Sequence, residues 1–201
     1  MTEVAGWLEV AAAWRFVSLL FQSPSEQSTA ELRALSEEVG LAWRASAREL
    51  AEIPLEVWQA EYHRVLGPSG VPACESSYDD NALAGRGPLL SRVAGFYDAF
   101  AYRPDEASPE VPDHVSIETG FLAYLALKAA FATDAGEDEP LALAREAYQR
   151  FLDEHLLYWI ARFEERLAAS GSAVYGEALT LLSGLCAQPQ RSQTPSGAAR
   201  A

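Results

Sequence analysis

Basic residues are scarce in this 201-residue chain, and their scarcity excludes one large class of partners. Lysine and arginine together number 15 against 29 aspartates and glutamates, which gives a formal net charge of −14. Nucleic-acid binding needs clustered basic side chains that neutralise phosphates, so we expect no nucleic-acid partner. The same negative field favours a basic partner, although acidity alone also keeps a protein soluble.

Cysteines and long apolar runs are also few. The two cysteines, Cys74 and Cys186, are far apart in the sequence and form no CxxC pattern, which is typical of free thiols in a reducing compartment. The longest apolar stretch, residues 119–127, is shorter than the ~20 residues that cross a bilayer. The N-terminus has no signal-peptide pattern. The sequence therefore predicts a cytoplasmic protein without stable membrane insertion.

Motifs for metal binding, nucleotide binding and catalysis are absent. None of the three histidines, His63, His114 and His155, follows a carboxylate by three residues as a di-iron bundle requires. No HExxH, zinc-ligand spacing or glycine-rich phosphate loop occurs, so we expect no metal, no cofactor and no catalytic residue. A hydrolase that uses Ser76 with His114 is one alternative, although the GxSxG elbow is missing.

A helical period of 3.6 residues runs through almost the whole chain, and no segment alternates as a strand would. This pattern predicts an all-α fold, a single globular bundle of roughly nine helices in a domain spanning residues 1–187. Residues 188–201 are rich in Pro, Gln, Ser, Gly and Ala, and we expect them to form a disordered tail. The helices are expected at about 3–22, 26–39, 41–53, from Pro54 onward, 88–101, from 113 to about 133, twice within 140–169, and at 173–186.

Residues 103–125 combine a proline-rich acidic segment with the most apolar predicted helix. Three prolines keep residues 104–112 out of a helix, and Asp113 stands where an N-cap belongs. His114 and Glu118 are four residues apart and therefore share one helical face. We expect an acidic entrance to a buried apolar helix, formed by Asp105, Glu106, Glu110, Asp113, His114 and Glu118.

Several segments, taken in order, resemble the TorD/DmsD/NarJ family of cytoplasmic chaperones for molybdenum-containing redox enzymes. The most specific is Pro112-Asp113-His114 followed by Glu118 and an apolar helix. One departure is Cys74, because family members often carry an aromatic residue just before the glutamate of this loop. The segments are EYHRVLGP, VPACESSYDD, GFYDAF, EVPDHVSIETGFLAYL and FLDEHLLYWIARF.

The resemblance implies binding and not turnover. It implies that the partner is the apo form of a molybdenum oxidoreductase subunit, held by its twin-arginine leader peptide until cofactor insertion and export. Carboxylates can receive the leader's guanidinium groups through charge-assisted bonds. A homodimer made by exchange of helices fits such a bundle, and a helical interaction domain with an unrelated client is the second alternative. The predicted leader-peptide-binding residues are Asp113, His114, Glu118, Glu110, Pro112, Glu75, Tyr78 and Tyr97.

Overall fold

Nine α-helical stretches follow one another along the described part of the chain. The computed structural model describes residues 2–79, 85–104 and 110–187, so the predicted tail at 188–201 lies outside the described residues. The helices are α1 (Glu3–Phe21), α2 (Glu26–Leu35), α3 (Arg44–Ala51), α4 (Leu55–Val65), α5 (Gly87–Ala99), α6 (Val115–Ala135), α7 (Asp138–Phe151), α8 (Leu157–Ala169) and α9 (Ala173–Cys186). The all-α prediction is confirmed.

A π-helical segment, Leu152–Leu156, joins α7 to α8 without a break. The described chain therefore has eight separate helices, one fewer than the nine that the sequence pattern indicated. The wider turn places Leu152, His155 and Leu156 in the interior. Such π-bulges occur often at functional sites.

The apolar helix α6 lies at the centre of the bundle. Its side chains are buried around most of its circumference, as expected of a helix that is apolar on all sides. Helix α1 packs along it, and the Ser18 hydroxyl donates a hydrogen bond of 2.8 Å to the Ser116 carbonyl. A Cβ atom on Gly120 would lie 3.2 Å from Ser18 Oγ and 2.8 Å from the Tyr102 hydroxyl, so this close approach requires glycine.

Helices α1 and α6 are each long and apolar enough to cross a membrane, which the short uncharged run at 119–127 did not indicate. Their apolar windows have mean hydropathies of 1.4 and 1.3. The core helix of a soluble protein passes the same test, and 78% of the α6 window is buried inside the bundle. Burial against other helices therefore accounts for the apolar character of α6.

Several helix ends differ from the predicted ones. Helix α2 begins with a capping box between Ser25 and Ser28, but it ends at Leu35 and not at Val39. Val39 is still buried, because a turn carries it inward. Pro54 is the N-cap of α4 and not part of its first turn.

Candidate functional site

The two irregular segments that the sequence marked as functional lie side by side over the start of α6. An isolated antiparallel bridge pairs Cys74 with His114. The Glu75 amide donates to the Asp113 carbonyl at 2.9 Å, and the Val115 amide donates to the Ala73 carbonyl at 2.8 Å. These bonds fix segment 72–78 against segment 110–114.

The N-cap of α6 is His114, so the prediction that Asp113 has this role is wrong. His114 has extended backbone angles, and its Nδ1 accepts a hydrogen bond of 3.3 Å from the Ser116 amide. Asp113 Oδ2 instead accepts from the Ser76 amide at 2.9 Å. The bridge to Cys74 keeps the chain extended through His114, which delays the helix by one residue.

His114 pairs with Glu110 and not with Glu118. Its Nε2 lies 3.5 Å from Glu110 Oε2, and Glu110 also accepts from the Tyr62 hydroxyl at 2.8 Å. Burial lowers the pKa of His114 below its usual value, against the opposing effect of the Glu110 and Asp113 carboxylates. The imidazole is therefore neutral near pH 7 and can act as an acceptor in the helix cap.

Glu75, Glu118 and His155 meet in the interior, where they join the 3₁₀ turn Glu75–Ser77, α6 and the π-helical segment. His155 Nδ1 lies 3.0 Å from Glu75 Oε2. The Trp159 indole donates to Glu118 Oε2 at 3.1 Å. Burial raises the pKa of Glu118 well above its usual value, and the neighbouring Glu75 carboxylate raises it further.

Tyr78 and Tyr97 tie proline carbonyls to the core. The Tyr78 hydroxyl donates to the Pro72 carbonyl, and the Tyr97 hydroxyl donates to the Pro112 carbonyl, each at 2.8 Å. The Tyr78 ring stacks on Trp159 with ring centroids 5.3 Å apart. Both tyrosines are buried, so each anchors one of the two irregular segments.

The expected acidic entrance is not open to solvent. The exposed fraction is 1% for Asp113, 1% for Glu75 and 0% for Glu118, and His114 is also buried. Of the predicted binding residues, Pro112 is exposed and Glu110 is half-buried. The remaining acids of the predicted entrance, Asp105 and Glu106, lie outside the described residues.

A groove between α5 and α7 lies beside this buried cluster, with a volume of about 420 Å³. His155 connects the two, because it lines the groove and also contacts Glu75. Arg150 lies over the Phe96 ring and pairs with Glu154 at 2.8 Å. Arg92 and Glu146 also line the groove, so its lining mixes apolar and charged side chains. The lining includes Gly95, Phe96, Phe100, Leu143, Arg150 and His155.

The arrangement does not favour hydrolysis. Ser76 Oγ has no hydrogen-bond partner among the described residues, whereas His114 is bonded to Ser116. The Ser–His pair that the hydrolase alternative needs is therefore not formed. Burial and nearby carboxylates raise the pKa of the Cys74 thiol to about 12, so a reactive thiolate is disfavoured as well.

Comparison with known proteins gives consistent matches over most of the chain. Residues 32–165 match a family model described as nitrate reductase delta subunit. The chain is 37% identical to the selenate reductase assembly chaperone protein of Thauera selenatis, over 69% of this chain and 74% of that protein. It is 33% identical to the chlorate reductase assembly chaperone protein of Ideonella dechloratans, over 69% of this chain and 75% of that protein. The chaperone protein TorD of Vibrio cholerae is 31% identical over 45% of this chain and 40% of its own length.

Proposed function

This chain belongs to the nitrate reductase delta subunit family, and we propose that it is a cytoplasmic assembly chaperone for a molybdenum-containing reductase. In this role it holds the apo form of the reductase's catalytic subunit until the molybdenum cofactor is inserted. The observation that carries the proposal is the similarity to two reductase assembly chaperones over 69% of the chain. Catalysis by the chain itself is not part of the proposed function.

The proposed ligand on the client is its twin-arginine leader peptide, which has a cationic start and an apolar centre. In the groove between α5 and α7, Phe96, Phe100 and Leu143 offer apolar surface to the leader's centre. Glu110 and Pro112 are the accessible members of the predicted binding set, and Tyr97 of α5 bonds the Pro112 carbonyl. We place the leader's arginines beside Glu110, where the net charge of −14 also attracts them.

The buried members of the predicted set have a supporting role in this proposal. Asp113, His114, Glu118, Glu75, Tyr78 and Tyr97 hold segments 72–78 and 110–114 in place. Direct contact between a guanidinium group and Asp113 or Glu118 would require segment 110–114 to move away from α6. A homodimer made by helix exchange stays a prediction.

The chaperone must release its client as well as capture it. An affinity near micromolar, about −8 kcal/mol, suits repeated capture and release better than a picomolar one. A groove of about 420 Å³ that receives a short apolar segment is consistent with binding in that range.

A groove-filling substitution tests the proposed function. Gly95 lines the groove, and a Cβ atom placed on it meets nothing within 4 Å. Tryptophan at this position fills the groove and is a better helix former than glycine. We expect the wild-type chain to co-purify with the apo catalytic subunit of its molybdenum reductase, and Gly95→Trp to weaken retention about tenfold or more, equal to about 1.4 kcal/mol.

Gly176 in α9 supplies the matched control, because it is also helical, exposed and free of neighbours around a Cβ atom. Gly176→Trp should retain the subunit as the wild type does. Equal retention by Gly95→Trp and the wild type would mean that the groove does not bind the client. If the wild type retains no reductase subunit, or retains an unrelated client in its place, the assembly-chaperone function is wrong.

A further inference from the structure

An excess of buried carboxyl groups surrounds the start of α6. Asp113, Glu75 and Glu118 are all buried, and the basic side chain in direct contact with them is His155, at 3.0 Å from Glu75. Among the described residues no arginine or lysine pairs with Glu75 or Glu118. The titratable or hydrogen-bonding side chains that face Glu118 come from every element packed around it. They are Glu75, Asp113, Cys74, Tyr97 and Trp159. Three ionised carboxylates without a paired arginine or lysine would be costly in a buried site.

The hydrogen bonds show where the excess charge is relieved. Asp113 accepts from the Ser76 amide, and Glu75 contacts His155, so each has a donor of its own. Glu118 Oε2 accepts from the Trp159 indole. Glu118 Oε1 has no such donor, and the Glu118 carboxyl lies within hydrogen-bond reach of Glu75. Two carboxylates form a hydrogen bond only when one of them carries a proton.

We propose that the Glu75–Glu118 pair retains one proton at neutral pH, and that this proton locks segments 72–78 and 110–114 against α6. Glu75 belongs to the first of these segments and Glu118 to α6, so a shared proton connects them directly. Loss of the proton to solvent places two negative charges side by side and pushes the segments apart. The bonds from the Glu75 amide to Asp113 and from the Val115 amide to Ala73 break in the same opening.

The sign of the pH dependence follows from the retained proton. The pKa of Glu118 is raised in the folded chain, so above the usual value of 4.5 the folded state binds more protons than the unfolded state. The contribution of this proton to the free energy of unfolding is therefore fully present below pH 4.5 and is lost as the pH rises toward the pKa of Glu118 in the folded chain. This proton-dependent contact depends on the fold alone, so the proposal does not depend on which client the chain binds.

The experiment compares the wild-type chain with Glu118→Gln, in which a neutral amide replaces the protonated acid. Urea unfolding of the full chain is measured in steps from pH 5.5 to 7.5. The wild-type unfolding constant should rise about tenfold per pH unit relative to that of Glu118→Gln. Glu154→Gln changes an exposed side chain of the π-helical segment, so this variant should follow the wild-type curve. Parallel curves for the wild type and Glu118→Gln would overturn the proposal.

Two measurements keep the proposal testable if Glu118→Gln fails to fold. The infrared spectrum of the folded wild type at neutral pH should contain the C=O stretch of a protonated carboxyl group, and its absence would overturn the shared proton. Hydrogen–deuterium exchange should show protection of the Glu75, Ser76 and Val115 amides falling as pH rises, through a local opening of lower free energy than the global unfolding that exposes α9. Constant protection at all sites would mean that the proton does not lock the segments.

Discussion

Phe121→Ala is expected to lower the free energy of unfolding by about 3–5 kcal/mol, the usual cost of removing a buried aromatic ring. Phe121 is 0% exposed at the middle of α6. Its ring lies 4.8 Å from that of Phe151 and 4.9 Å from that of Tyr97, in edge-on arrangements that add to the apolar contact. The cavity would open between α5, α6 and α7, in the part of the core that supports the groove.

Phe131→Ala provides the control, because the same residue type on the same helix is 66% exposed. This surface change should alter stability by no more than about 0.5 kcal/mol. Urea unfolding followed by circular dichroism measures both variants. The melting temperature of Phe121→Ala should fall by roughly 6–20 °C. Similar losses in the two variants would contradict the central position of α6.

Glu75→Ala should destabilise the fold by about 3 kcal/mol, near the upper end of the cost of leaving a buried polar group without its partner. It leaves the buried imidazole of His155 without its acceptor at 3.0 Å. It also removes the side-chain contact between the 3₁₀ turn and Glu118 of α6. Segment 72–78 should therefore loosen before the rest of the bundle.

Glu154→Ala supplies the comparison. Glu154 is next to His155 in the π-helical segment and pairs with Arg150, but its side chain is half exposed. Exposed pairs contribute about 0–1 kcal/mol, so a small change is expected. Both variants are measured by denaturant unfolding at one pH and ionic strength. An equally small loss for Glu75→Ala would mean that the buried pair does not hold the segment.

Much of the fold was predictable because helices depend on local pattern. The predicted limits of α9 agree with its observed residues, and α1 differs by a single residue at its end. Apolar spacing and helix-stopping residues fix these elements within a short stretch of sequence. The π-helical segment was missed, since one extra residue per turn leaves little trace in a 3.6-residue period.

The sequence indicated the two segments of the candidate site but not the burial of their side chains. Proline and acidic composition drew attention to the segment that includes 110–114, the family resemblance drew attention to 72–78, and these two segments do meet. The N-cap was misplaced because a bridge to Cys74, forty residues earlier in the chain, extends the backbone through His114. Glu118 looked like an exposed first-turn acid, since its actual neighbours, Glu75 and Trp159, belong to distant elements.

The groove was missed for a related reason. Phe96 and Phe100 are four residues apart and follow the apolar stripe of α5, a spacing that is also typical of core residues. They are only partly buried, because the small residues Gly95 and Ala99 leave space beside them and α7 does not close it. Small residues next to an aromatic stripe are the signal that could have indicated the groove.

Calorimetric titration of the full chain with the leader peptide of its client reductase tests the central claim most directly. We predict saturable binding near micromolar affinity, about −8 kcal/mol. Replacing both leader arginines with alanine should weaken it at least tenfold, because the charge-assisted contacts are lost. No heat of binding at concentrations well above micromolar, or equal affinity for the two peptides, would contradict leader recognition by this chain.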